Sequence, residues 1–162
     1  MTDYHIHTTL RSIGYQAFNY DGTHQWLADE PVTAKGTDAG PNPIQYLLGA
    51  LGSCLSLTAK DVINNKNLDV THFELDIAGK TDYLPGSRAK ALKSVKVTVK
   101  LATSISDAAI DRLLHTMDKY CTVHNSLSDR ITFEMKAERI EGWGMGVAGL
   151  TGSALTDYSS FS

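Results

Sequence analysis

The chain has 162 residues, 42% apolar and 20% charged, with 15 basic against 18 acidic side chains and a formal net charge of −3. A domain near this length buries about 70% of its unfolded surface, so dominant disorder is excluded and one domain with a real core is expected. The slight acidic balance leaves no electrostatic footprint for nucleic acid, and no apolar run approaches the ~18 residues of a membrane span. Met1-Thr2-Asp3-Tyr4 lacks the basic region and apolar stretch of a signal peptide, so a soluble, cytoplasmic protein is expected.

Tyr4, Ile6, Thr8 and Leu10 alternate with polar residues and predict a first strand. Gln16 to Tyr20 and Thr23 to Ala28 flank Asp21-Gly22, a hairpin signal. Asp29 to Pro43 carries three prolines and two glycines and reads as a loop. From Ile44 to Asn65 no proline intervenes, and Leu47, Leu48, Leu51, Leu55, Val62 and Ile63 mark a long helix. Phe73, Leu75 and Ile77 give one strand face; Val95, Val97, Val99 and Leu101 give a cleaner one, with Pro85-Gly86 in the loop between. Ser106 is a plausible N-cap ahead of an amphipathic helix with Ile110, Leu113, Leu114 and Met117. A short segment, Cys121 to Leu127, precedes a last strand with Ile131, Phe133 and Met135. Strand runs separated by helices, without steady β-α-β alternation, predict an α+β fold with mainly antiparallel pairing. Residues 1–141 form the expected domain. The tail, 142–162, opens with five glycines in eleven residues and is expected to lie against this chain or a partner.

The long helix is apolar on nearly every side and carries Gly49, Ala50, Gly52 and Ser53. A helical glycine costs about 1 kcal/mol relative to alanine, so two of them suggest that another backbone comes close. Two such helices packed in a homodimer would supply the cover this helix needs. Cys54 lies about ten residues into it, beyond useful reach of the N-terminal dipole, so activation of its thiol requires a side chain from elsewhere. Arg11, at the end of the first strand, is the candidate; taken alone it reads better as a solvated strand-end arginine. Cys121 stands where a short helix can begin, a position that favours the thiolate, with His124 one turn on. Cys-x-x-His also occurs in zinc sites, but it supplies two ligands where a structural site takes four, so neither metal nor cofactor is expected. Two cysteines are too few for a disulfide scaffold.

The run Lys35-Gly36-Thr37-Asp38-Ala39-Gly40-Pro41-Asn42-Pro43 leads into Gln45-Tyr46-Leu47-Leu48-Gly49-Ala50-Leu51-Gly52-Ser53-Cys54, and Tyr120-Cys121-Thr122-Val123-His124-Asn125 follows 67 residues after the first cysteine. Over roughly Tyr4 to Ile140 this resembles the OsmC/Ohr family of osmotically inducible and organic hydroperoxide resistance proteins. The resemblance implies antiparallel sheets wrapped around two long central helices in an intertwined homodimer. It further implies reduction of organic hydroperoxides or hydrogen peroxide without metal or haem. On that reading Cys54 is the peroxidatic nucleophile, Cys121 resolves its sulfenate as a disulfide, and a dithiol reductant regenerates both. Arg11 is the nearest match to the family's arginine. The family's glutamate falls at Gln45 or Ile44, and Gln45 can hydrogen-bond but cannot anchor an arginine by an ion pair. Threonine replaces the usual proline after Cys121. Two other readings stay open: a non-peroxidase member of the fold binding a small hydrophobic ligand at the dimer interface, and a structural dimer whose cysteines are residual.

Overall fold

The computed structural model describes residues 2–141; the glycine-rich tail expected at 142–162 lies outside them. Strands β1 (His7–Leu10), β2 (Ala17–Tyr20) and β3 (Gln25–Ala28) form an antiparallel sheet in chain order. The β2–β3 hairpin turns at Asp21-Gly22 as expected: Gly22 takes φ +101°, and the Asp21 carboxylate accepts from the Thr23 and His24 N–H groups at 2.8 and 2.6 Å. A 3-10 turn, Val32–Ala34, interrupts the following loop.

Helix α1 spans Pro43–Lys66. Asn42 and Gln45 start it with a reciprocal capping box: Asn42 Oδ1 accepts from the Gln45 N–H at 2.9 Å, and Gln45 Oε1 accepts from the Asn42 N–H at 2.8 Å. Pro43 adds a preset φ where no N–H is needed. The helix ends at Asn67 in the left-handed conformation. Strands β4 (Val70–Tyr83) and β5 (Lys90–Thr103) then form a long antiparallel hairpin. Helix α2 (Asp107–Tyr120), capped by the Ser106 hydroxyl, and the single turn α3 (Thr122–Asn125) lead to β6 (Thr132–Arg139).

One pair departs from the antiparallel expectation: β6 joins β5 in parallel, giving a mixed sheet in the order β4-β5-β6. A parallel neighbour cannot be reached by a tight turn, so α2 and α3 serve as the crossover. Strand β5 is therefore central. Its Val95, Val97, Val99 and Leu101 are 0–1% exposed and meet Leu51, Leu55 and Ala59 of α1 and Ile110, Leu113 and Met117 of α2. Residue 93 is skipped in the pairing, where Lys80 faces Ser94 and Thr81 faces Leu92. This bulge resets the alternation, so that Leu92 and Val95 both point inward.

Helix α1 differs from expectation in two ways. Only Leu51, Leu55 and Ala59 are buried in the single chain, while Gly49, Ala50, Ser53 and Leu57 are exposed. The space at Gly52 is taken by Ile77 of β4, whose Cδ1 would stand 2.9 Å from an added Cβ, whereas Gly49 faces open space. The close approach at Gly52 is thus made within the chain, by a side chain. By length and composition the same helix is long and apolar enough to cross a bilayer, a property the sequence reading did not grant it. Its buried stripe against β5, with Lys60 and Asp61 outside, is the arrangement of a core helix.

The loop before α1 is built around one carboxylate. Asp29, 1% exposed, accepts from the Glu30 N–H at 2.8 Å through one oxygen. Its other oxygen accepts from the Thr37 N–H, the Thr37 hydroxyl and the Ala39 N–H at 3.0, 2.5 and 3.1 Å. Gly36 is obligatory here, because any Cβ would stand 1.7 Å from the Glu30 carbonyl oxygen. The Thr37 hydroxyl, followed by the backbone donors, holds the Asp29 carboxyl at about 2, below the ordinary 3.8. A depressed folded-state value stabilises above the unfolded pKa and is lost as pH falls through the folded one. Acid should therefore loosen residues 29–42 between about pH 4 and pH 2. Asp29→Asn, which puts an NH2 against one set of these donors, should lower the melting temperature at pH 7 by several degrees and flatten its fall below pH 4. Melting curves for both proteins from pH 7 to pH 2 test this; identical pH profiles would rule it out.

Candidate active site

Cys54 sits mid-way along α1, half-buried, against the core cluster that contains Cys121. The geometry of α1 there is regular, with the Thr58 hydroxyl donating to the Cys54 carbonyl at 2.9 Å. Cys121 closes α2, where its N–H donates to the Met117 carbonyl at 3.1 Å, and it also caps α3. Its Sγ, 0% exposed, accepts from the His124 N–H at 3.4 Å. Because α3 packs on α1, the two cysteines are neighbours in the same cluster. Both are free.

Burial pushes the Cys121 thiol up to about 11; the His124 N–H opposes this, while the neighbouring Cys54 thiol adds to it. The helix-start argument for a thiolate at Cys121 is thereby corrected. The Sγ does receive the expected backbone donor, but desolvation outweighs one long hydrogen bond and a single helical turn.

Gln45 lines an open groove of about 670 Å³ along α1 with Leu48, Gly49, Gly52, Leu57 and Ile77. Its side-chain oxygen is committed to the capping box. Neither cysteine lines this groove, which runs along the face of α1 beside Ser53 and Ser56. Arg11 is exposed just after β1, where its N–H donates to the Gln16 carbonyl at 2.9 Å, and its side chain makes no hydrogen bond or ion pair among the described residues. Within one chain the fold thus brings together Cys54 and Cys121, places Gln45 about two and a half helical turns before Cys54, and does not bring Arg11 to them.

Sequence reasoning left two groups unassigned. Asp118, in the last turn of α2, meets the His124 ring at 3.1 Å, and Phe133 of β6 lies under that ring at 4.1 Å between centroids. The Cys-x-x-His spacing signalled His124; its partners are joined to it only by the turn between two helices and the crossover to β6.

A family model described as OsmC-like protein matches residues 36–136, and the chain belongs to that family. Solved structures with the same fold include an OsmC-like protein from Mycoplasma pneumoniae, at TM-score 0.77 and 18% identity over 86% of this chain and 99% of that one. An organic hydroperoxide resistance protein OsmC from Legionella pneumophila matches at TM-score 0.69 and 12% identity, covering 85% and 97% of the two chains. The organic hydroperoxide resistance protein OhrB of Bacillus subtilis matches at TM-score 0.67 and 12% identity, covering 85% and 98%. Comparison with the curated proteins gives no match.

The two thiols should differ sharply in reactivity. At pH 8 a thiol at about 11 is ionised to about one part in a thousand, and Cys121 is buried as well. Iodoacetamide at that pH should modify one thiol per native chain, Cys54, with Cys121 following only on unfolding. Peptide mass spectrometry after timed alkylation reads this directly, and comparable rates at the two positions would mean that the α2–α3 junction is open in solution.

Proposed function

We propose that this chain is a cytoplasmic, thiol-dependent hydroperoxide reductase that works through a two-cysteine cycle. The observation that carries the reading is the pairing of a half-buried thiol on a central helix with a fully buried one against it. In the first step the Cys54 thiolate attacks the peroxide O–O bond; the sulfur keeps one oxygen as a sulfenic acid and the other leaves, protonated, as alcohol or water. In the second step Cys121 attacks the Cys54 sulfenate, the S–S bond forms, and water carries away the hydroxyl and the thiol proton. A dithiol then exchanges with the disulfide and returns both thiols. The hydroperoxide resistance function of the Legionella pneumophila and Bacillus subtilis neighbours agrees with this chemistry.

The working unit in this proposal is a homodimer. One chain leaves Ala50 and Leu57 of α1 uncovered, together with Leu10 of β1 and Ile13 and Tyr15 of the β1–β2 connection. A second copy laid along the α1 groove covers apolar surface that monomers rarely expose. It also supplies the route by which Arg11 of one protomer reaches the Cys54 thiolate of its partner. Sedimentation should give a dimer at micromolar concentration, and Leu57→Asp, a charge on the α1 face, should shift it towards monomer; a stable native monomer would remove this arrangement.

The cycle divides the chemistry between the cysteines. Cys54→Ser should abolish peroxide consumption. Cys121→Ser should form one sulfenate per chain, trapped by dimedone, and then stall or over-oxidise to sulfinate. Arg11→Ala should slow sulfenate formation while leaving the later disulfide step intact. Mass spectrometry after stoichiometric cumene hydroperoxide separates these outcomes, and equal dimedone labelling of the two single-cysteine variants would sink the role assignment. A second reading is favoured by the groove itself, which is apolar and contains neither thiol. There the protein binds a small hydrophobic ligand without redox chemistry, and neither variant is labelled.

A further inference from the structure

Residue 124 touches the α2–α3 junction twice. Its N–H donates to Cys121 Sγ at 3.4 Å, and its ring Nδ1 stands 3.1 Å from the Asp118 carboxylate and 3.3 Å from the Asp118 carbonyl. Both partners are acceptors, so Nδ1 carries a proton. The ring is tilted 35° against Phe133 of β6. The next residue repeats the tie: Asn125 Nδ2 donates to the Lys119 carbonyl at 3.0 Å. Together the two side chains satisfy carbonyls in the last turn of α2 that have no partner within the helix.

These contacts are needed because α3 has only four residues. A helix that short has no stability of its own, so its shape must be imposed from outside. Cys121, in extended conformation with φ −72° and ψ 106°, is the pivot between the two helices, and rotation there swings its Sγ. A disulfide forms only when the sulfurs close to about 2 Å with the Cα atoms within ~7 Å. Resting on the two-cysteine cycle proposed above, we propose that His124 is a positioning residue for the resolving thiol. Clamped between Asp118 and Phe133, its imidazole pins the junction so that Cys121 stays turned towards Cys54.

The test follows disulfide closure with two oxidants. Diamide takes two thiols to a disulfide and is itself reduced to the hydrazine, so it reports closure whether or not the protein reduces peroxides. Cumene hydroperoxide reports sulfenate formation and closure separately. With either oxidant His124→Ala should close the Cys54–Cys121 disulfide about ten- to a hundredfold more slowly. Dimedone-trapped sulfenate at Cys54 should form at the native rate, and more Cys54 should end as sulfinate. His124→Asn, whose Nδ2 takes the place of Nδ1, should recover much of the rate. Asp118→Ala, which keeps the ring on Phe133, should reproduce the partial loss if His124→Ala does not fold. Native closure rates in both His124→Ala and Asp118→Ala would overturn the proposal, as would equal slowing of sulfenate formation and closure. If the native protein ignores cumene hydroperoxide but diamide closure is slowed in these variants, the positioning role stands and the peroxidase reading falls.

Discussion

The parallel pairing of β6 with β5 is the constraint from which the site follows. Strand β5 buries one face along its length and is flanked on both sides, by β4 through a hairpin and by β6 through a crossover. The crossover has to lie on the face of the sheet that α1 already occupies, so α2 packs beside α1 and its end runs onto it. The chain then turns back to start β6, and the turn needs a break between two helices. Cys121 is that break. The meeting of Cys54 and Cys121, 67 residues apart, is thus a consequence of sheet topology; no local motif joins them.

Gln45, which stands where the resemblance places a glutamate, has a structural use independent of chemistry. At the third position of α1 its carboxamide oxygen accepts the N–H of Asn42, which glutamate at the same place also does. Helix initiation therefore does not distinguish the two residues. The difference is one of charge alone: a carboxylate here could form an ion pair with an arginine from a second chain, and the carboxamide offers only a neutral hydrogen bond. Arg11, exposed and without an ionic partner among the described residues, is the arginine that the proposed dimer would bring there. In the proposed cycle this loss would fall on the first chemical step, with helix initiation unaffected.

Much of the fold was legible because its main signals are local. Val95 to Leu101 alternate strictly, Ser106 caps an amphipathic run, and Asp21-Gly22 turns a hairpin, each readable within a few residues. The two cysteines were singled out by the resemblance of their flanking residues to the OsmC/Ohr family, and the chain's membership of the OsmC-like family bears out that resemblance. What could not be read required three dimensions. The direction of β6 depends on how a crossover lies. The small residue at Gly52 admits Ile77 from β4, a contact 25 positions away. Asp29 looked like any loop carboxylate, yet it gathers four donors that include residues eight and ten positions on.

The state of Cys121 illustrates why a helix start alone does not make a reactive thiol. Backbone N–H groups of His124 and Val123 both favour its thiolate, but burial and the adjacent Cys54 oppose them and prevail. In the proposed cycle this balance imposes an order. While Cys54 is a thiolate, a second negative charge beside it is doubly unfavourable, so Cys121 stays protonated and does not compete for peroxide. Conversion of Cys54 to a neutral sulfenic acid removes that repulsion. The same buried, hydrogen-bonded position then makes Cys121 the nearest nucleophile to the sulfenate. A resolving thiol held in this way needs placement more than activation, because attack on a sulfenate a few ångströms away gains most from orientation.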